Sequence, residues 1–325
     1  MKNTLLAAGL LAMVSCTAPK TSEGEVQTPQ DDILRWEAVL FYEDKNELGE
    51  GAIWNHETNE LWSVDIEGKK WFQLDVSNKS QLVHQLDQRI GTIVPSADGR
   101  AVVALEDGVY YYDPTTGEQE LIVTPDMHTG KIRFNDGKCD PSGRLWVGSM
   151  HLDQISDAAN LYKISADGGS EQMLDSVTIS NGIVWSSDQK TMYYIDTPDG
   201  KVRVFDYDDE TGTISNERSL MDFTAYGYPD GSTIDAENNL WVCLWNGNKV
   251  LQIDTESGEI IGEVHIPAHN ITSCAFGGEN LDSLFITSAR VDMSEAELDS
   301  LPHAGSIFVA VPGVKGVKAN FFGQK

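Results

Sequence analysis

Four oxygen-bearing side chains recur at one phase of this sequence. Glu50, Asn135, Asn181 and Asp230 lie eleven or twelve residues ahead of Trp62, Trp146, Tyr193 and Trp241. They sit in LGEGAIW, RFNDGKCD, ISNGIVW and YPDGSTID, each beside a glycine or one residue from it. Two carboxylates and two carboxamides form an oxygen donor set, the kind that suits a hard divalent cation. A single Asp-Gly or Asn-Gly is an ordinary turn signal. Four at a shared phase point to a site, and more so because two further repeats put Gly91-Thr92 and Thr272-Ser273 there. The sequence has no GxSxG and no Ser/His/Asp arrangement in phase with these positions, which argues against a serine nucleophile.

The phase comes from a repeat. Apolar or aromatic pairs at Leu61-Trp62, Val102-Val103, Leu145-Trp146, Met192-Tyr193, Leu240-Trp241 and Leu284-Phe285 recur at intervals of 41 to 48 residues. A turn-rich stretch precedes each pair. Short strands with this period predict a β-propeller with one blade per repeat. In the fifth repeat the strands read as residues 232–235, 240–244, 249–254 and 260–266, so each blade is a four-stranded antiparallel sheet. The sixth repeat lacks a fourth strand after SIFVAV. RWEAVLFY, residues 35–42, is expected to supply it from the front of the chain and close the ring. The segment 289–304 interrupts the last blade, and its SEAELDSL stretch predicts a short helix over one end of the channel.

The 325 residues are 40% hydrophobic, ample for a core, and carry a formal charge of −28. That balance argues against a nucleic-acid partner and is read chiefly as solubility. At the front, Lys2, an apolar run over 5–14 and then Ser15-Cys16 read as a lipoprotein signal peptide, residues 1–15, with lipid on Cys16. Residues 16–33 read as a polar tether and 34–325 as the propeller. Export to a periplasmic or outer-membrane surface follows, with the lipid as the only membrane contact. Of the other cysteines, Cys139, Cys243 and Cys274 show no zinc spacing and are expected to be buried thiols; a Cys243–Cys274 bridge has no positive support. The tryptophans fall in predicted strands and are assigned mostly to blade packing.

The successive motifs LGEGAIW, RFNDGKCDPSGRLWVGSM, SNGIVWSSDQKTMYYIDT, YPDGSTIDAENNLWV and ITSCAFGGENLDSLFITSA resemble, in order, those of the regucalcin/gluconolactonase (senescence-marker-protein) family. The resemblance spans about residues 49–310 and implies a six-bladed propeller that binds one divalent metal and hydrolyses sugar lactones. It implies Glu50, Asn181 and Asp230 as metal ligands and Arg133 and Asn135 as substrate-binding residues; Asp230 is also taken as the general base, since a carboxylate at the metal can accept a proton from attacking water. Where animal members carry a substrate-touching Glu, this chain has Asp153, with His151 in the same loop. Ca²⁺ is the first choice of cation, with Zn²⁺, Mg²⁺ and Mn²⁺ as alternatives. Two other readings stand beside the lactonase: a phosphotriesterase- or arylesterase-like hydrolase, and a non-catalytic surface lipoprotein that binds metal or sugar.

Overall fold

The structure is a computed structural model and describes residues 33–125 and 130–324. The expected signal peptide over 1–15, the expected lipid site at Cys16 and the expected tether up to residue 32 lie outside the described residues. Among the described residues, six antiparallel sheets follow one another along the chain. Their inner strands are Gly49–Asn55, Ile90–Pro95, Ile132–Cys139, Ser180–Trp185, Tyr228–Ile234 and Asn270–Gly277. This is a six-bladed propeller with four strands to a blade.

The turn between the first two strands carries the chemistry that makes the repeat visible. In blade five, Asp235 accepts from the backbone N–H of Glu237 (3.0 Å) and Asn239 (2.8 Å) and from the indole Nε1–H of Trp241 (2.9 Å). In blade three, Asp140 accepts from the Arg144 N–H (2.9 Å), the Arg144 guanidinium (2.7 Å) and the Trp146 indole (2.9 Å). One carboxylate thus sets the turn and ties down the buried aromatic of the next strand. Neither carboxylate is exposed, and such a buried acid is tolerated because its lone pairs are filled. Trp62, Trp71, Trp146 and Trp241 are fully buried in the blades. Cys139, Cys243 and Cys274 are buried free thiols.

Closure differs in detail from expectation. The stretch 35–42 forms two strands. Val39–Tyr42 pairs antiparallel with Ile307–Ala310 and completes blade six. Leu34–Glu37 instead pairs parallel with residues 262–265, as a fifth strand on blade five. The break falls at buried Ala38, whose N–H donates to the His265 carbonyl at 2.9 Å. Trp36 packs on Trp241, and Phe41 sits edge-on to Phe285, so each half has its own aromatic anchor. The inner strand of blade five also begins at Tyr228 rather than at 232. Asp230-Gly231, which looks like a turn, is a bulge within it.

Past Ala310 the chain straps across the rear of the ring. Asp235 bridges to Gly316 and Ser96 to Phe322, and the Asn320 amide donates to the Cys139 carbonyl at 3.2 Å. Behind this strap is a small cavity of about 90 Å³ between Trp54, Trp185, Lys138 and Lys318. The SEAELDSL stretch forms the helix Glu295–Ser300, started by a capping box between Ser294 and Glu297. Among the described residues no helix is long and apolar enough to cross a membrane.

Asp235→Ala is expected to strand the Trp241 indole and two backbone donors and to lower stability by about 3 kcal/mol. A urea midpoint unchanged from the native protein would show that the turn does not need its carboxylate.

Candidate active site and metal centre

Every inner strand carries a register shift near its start. The shifts fall between Glu50 and Ile53, Ile90 and Thr92, Phe134 and Gly137, Asn181 and Ile183, Pro229 and Ser232, and Ile271 and Cys274. A bulge kinks its strand and re-aims the side chains there, and six in phase aim them at one axis. Gly51 has a φ of 62°, which a side chain would oppose. At Gly231 a Cβ would stand 2.7 Å from the Thr272 carbonyl oxygen, so neighbouring blades meet backbone to backbone.

The result is a cavity of about 520 Å³ at the front mouth of the channel, lined by Glu50, Arg133, Asn135, Asn181 and Asp230 among others. Five of the six candidate residues share this cavity. Asp153 is not in its lining; its carboxylate pairs with Lys131 Nζ at 2.6 Å, where the two side chains are 55% and 63% exposed. Leu152 and Gln154, on either side, line the cavity instead. His151 Nδ1 accepts the Asp153 N–H at 3.0 Å and so shapes this turn.

A hydrogen-bonded chain crosses three blades. Arg133 Nη1 donates to Asn135 Oδ1 at 2.6 Å and to the Phe134 carbonyl at 2.9 Å. Asn135 Nδ2 donates to Asn181 Oδ1 at 2.8 Å and to the Ser180 carbonyl at 2.7 Å. Asn181 Nδ2 donates to Thr197 Oγ1 at 2.7 Å, and the Thr197 hydroxyl donates to the Pro229 carbonyl at 2.8 Å. With both amide nitrogens committed to protein acceptors, each carboxamide has its orientation defined.

The electrostatics are compatible with a cation. Glu50 and Asp230 are 8% and 4% exposed, and each carboxyl acts on the other's ionisation. Burial, and then the charge of Asp136, raise Glu50 from 4.5 to about 8. Burial, then Glu50 and Asp136, push Asp230 well above the carboxylate range. Arg133 is pushed down to about 10 by its own burial, against the pull of Glu67 and Glu50. Asp230 Oδ1 is buried without a hydrogen-bond partner. Adjacent buried acids with an orphaned oxygen are what a bound cation would satisfy. The donors are all oxygen, so a hard divalent ion fits them. Among the described residues no three His, Cys, Asp or Glu side chains form a metal cluster; the third donor in this set is the Asn181 carboxamide.

Sequence reasoning missed Asp136. It is buried with Oδ2 unpartnered, and burial raises its pKa against the Lys138 ammonium and the Gly137 N–H. Its only signal was its place beside Asn135 in NDG, which reads as a turn. Thr197, Tyr228 and Trp245 were missed too, although they line the cavity. Trp245 is thus an exception to the packing role of the tryptophans.

The model of the SMP-30/gluconolactonase/LRE-like region matches residues 48–290. The chain belongs to this family. A zebrafish (Danio rerio) regucalcin is 38% identical, over 87% of this chain and 97% of its own. A Bacillus subtilis (strain 168) protein, named provisionally as the sugar lactone lactonase YvrE, is 36% identical over 84% of this chain and 94% of its own. Among solved structures, the calcium-binding regucalcin of Agrobacterium tumefaciens superposes with a TM-score of 0.85 at 26% identity, covering 89% of this chain and 98% of that one. Membership makes this a lactonase-like protein, and the matched region contains the whole polar floor of the cavity.

In protein freed of divalent cations, stability should fall as pH rises from 4.5 to about 8. Over that window the unfolded chain has released the Glu50 proton and the folded site still holds it. Urea midpoints at about pH 5 and about pH 8 test this. Glu50→Gln is expected to flatten the slope, and an equally steep slope in that variant would assign it to other groups.

Proposed function

We propose that the protein is a divalent-cation-dependent hydrolase of lactones, with sugar lactones such as D-glucono-1,5-lactone as the reference substrates. One observation carries this reading: buried Glu50 and Asp230 meet Asn181 on the floor of a cavity that also holds Arg133 and Asn135. The similarity to regucalcins and to the B. subtilis protein named as a lactone lactonase supports it.

Glu50, Asn181 and Asp230 would hold the cation, Ca²⁺ before Mg²⁺, Mn²⁺ or Zn²⁺. When bound, it supplies Lewis-acid chemistry at the ester carbonyl. The other roles belong to the chain's own groups. Arg133 donates to Asn135, and the pair presents a fixed edge to ring or hydroxyl oxygens, orienting the ester for attack. Asp230, the ligand that doubles as general base, accepts the proton of the attacking water. As the acyl C–O bond breaks, the proton passes to the departing ring oxygen and the product is a hydroxy acid. Burial of the floor excludes bulk water from this exchange. Export with lipid on Cys16 is proposed as well, supported by the apolar run that precedes it.

Asp230→Asn is expected to lower kcat about a thousandfold with the fold intact, and chelation to abolish turnover until a divalent cation is restored. Hydrolysis of D-glucono-1,5-lactone followed by pH indicator measures both. Full activity in either condition would overturn the mechanism, while cation binding without hydrolysis of any lactone would favour a binding protein. Cys16→Ser should move the protein from the membrane fraction to the soluble fraction of the producing cell, and an unchanged distribution would remove the anchor.

A further inference from the structure

The floor and the mouth of the cavity differ in chemistry. The floor is the polar set above. The mouth receives apolar side chains from blades three to six: Met150, Leu152, Ile179, Tyr228, Trp245 and Val291. Tyr228, two residues before Asp230 in the chain, is the direct cross-strand partner of Trp245 in blade five. Tyr228 is 55% exposed and Leu152 39% exposed. Among the described residues, neither the Tyr228 ring nor its hydroxyl has a partner. Exposed apolar surface of this kind at the rim of a pocket marks a place where something apolar binds.

Gln154, Asn246, Asp292 and Glu67 line the cavity beside these apolar side chains. Glu67 is held by Arg89 at 2.9 Å, so its charge is already matched. The cavity, about 520 Å³, falls in the range that encloses a drug-sized ligand and exceeds what a single hexonolactone ring fills. A fully hydroxylated ring seated on the floor would leave the aromatic pair and Leu152 in water.

We propose that the preferred substrate is a lactone whose ring carries an apolar substituent, an alkyl chain or aryl group, lying against Tyr228, Trp245 and Leu152. The inference rests on the lactone-hydrolase reading and narrows its substrate class. The ester docks on the polar floor while the substituent reaches the rim, and specificity comes from apolar area removed from water.

The test compares δ-nonalactone with D-glucono-1,5-lactone, which share a six-membered ring and differ in substituents. The cation-loaded native protein is expected to show a kcat/KM at least tenfold higher for δ-nonalactone. Tyr228→Ala and Trp245→Ala should each lower the ratio of the two kcat/KM values about tenfold, mainly through KM for the alkyl lactone. Leu152→Asn should lower it in the same direction. A native preference for the sugar lactone, or a ratio that none of the three variants moves, would overturn the proposal. If neither lactone is cleaved, the hydrolase reading fails, and the rim is then read by binding. Quenching of tryptophan fluorescence by the uncleavable butyl-substituted δ-lactam, weakened about tenfold in Tyr228→Ala, would sustain an apolar subsite, and no quenching would overturn it.

Discussion

Val39–Tyr42 and Ile307–Ala310 bring the two ends of the propeller into one sheet, and the shape of the channel depends on that pairing. A ring of blades has no hub; each blade is held by its neighbours, so an unpaired edge in blade six would let the circle open. The chain reinforces the joint twice. Leu34–Glu37 extends blade five with the same front segment, and the rear strap ties blade five at Asp235 to blade two at Ser96. With the circle closed, the distances between inner strands are set, and side chains nearly two hundred residues apart, Glu50 and Asp230, can stand against one another.

Closure also explains why the site can be polar and dry. The bulges at the start of each inner strand turn carboxylates and carboxamides toward the axis, while the same strands bury apolar residues between blades. Placing Glu50, Asp230 and Asp136 together opposes folding, since each loses water and repels the others. The structure offsets part of this with Arg133, buried beside them, and with backbone donors at Gly51 and Gly137. The remainder is met by protonation, which the raised Glu50 and Asp230 carboxyls favour, or by the cation proposed above. The buried acids at Asp140 and Asp235 show the contrast. Their oxygens are filled by indole, amide and guanidinium donors, and they serve the turns. The number of protein donors facing a buried carboxylate separates the structural acids of this chain from the functional ones.

The repeat, the six blades and the phase of Glu50, Asn135, Asn181 and Asp230 were legible in the sequence, because strand alternation and turn chemistry are local and recur with each blade. Arg133 followed from the family motif around Asn135. What local pattern could not show were features set by pairing. Asp230-Gly231 has the composition of a turn, and only its register against the neighbouring strand makes it a bulge. Asp153 was expected at the substrate from the family motif, yet the turn around His151 gives it to Lys131 in solvent and leaves Gln154 at the cavity. Residues 35–42 read as one strand, and the step at Ala38 exists because two different blades compete for the segment. Asp136, Thr197, Tyr228 and Trp245 lacked a periodic signal, since their roles come from neighbours on other blades. Sequence by itself thus determined the blade, its repetition and the donor types that face the axis. Tertiary structure decided which donors lack protein partners and which apolar side chains surround them, because both depend on contacts between blades that no single repeat contains.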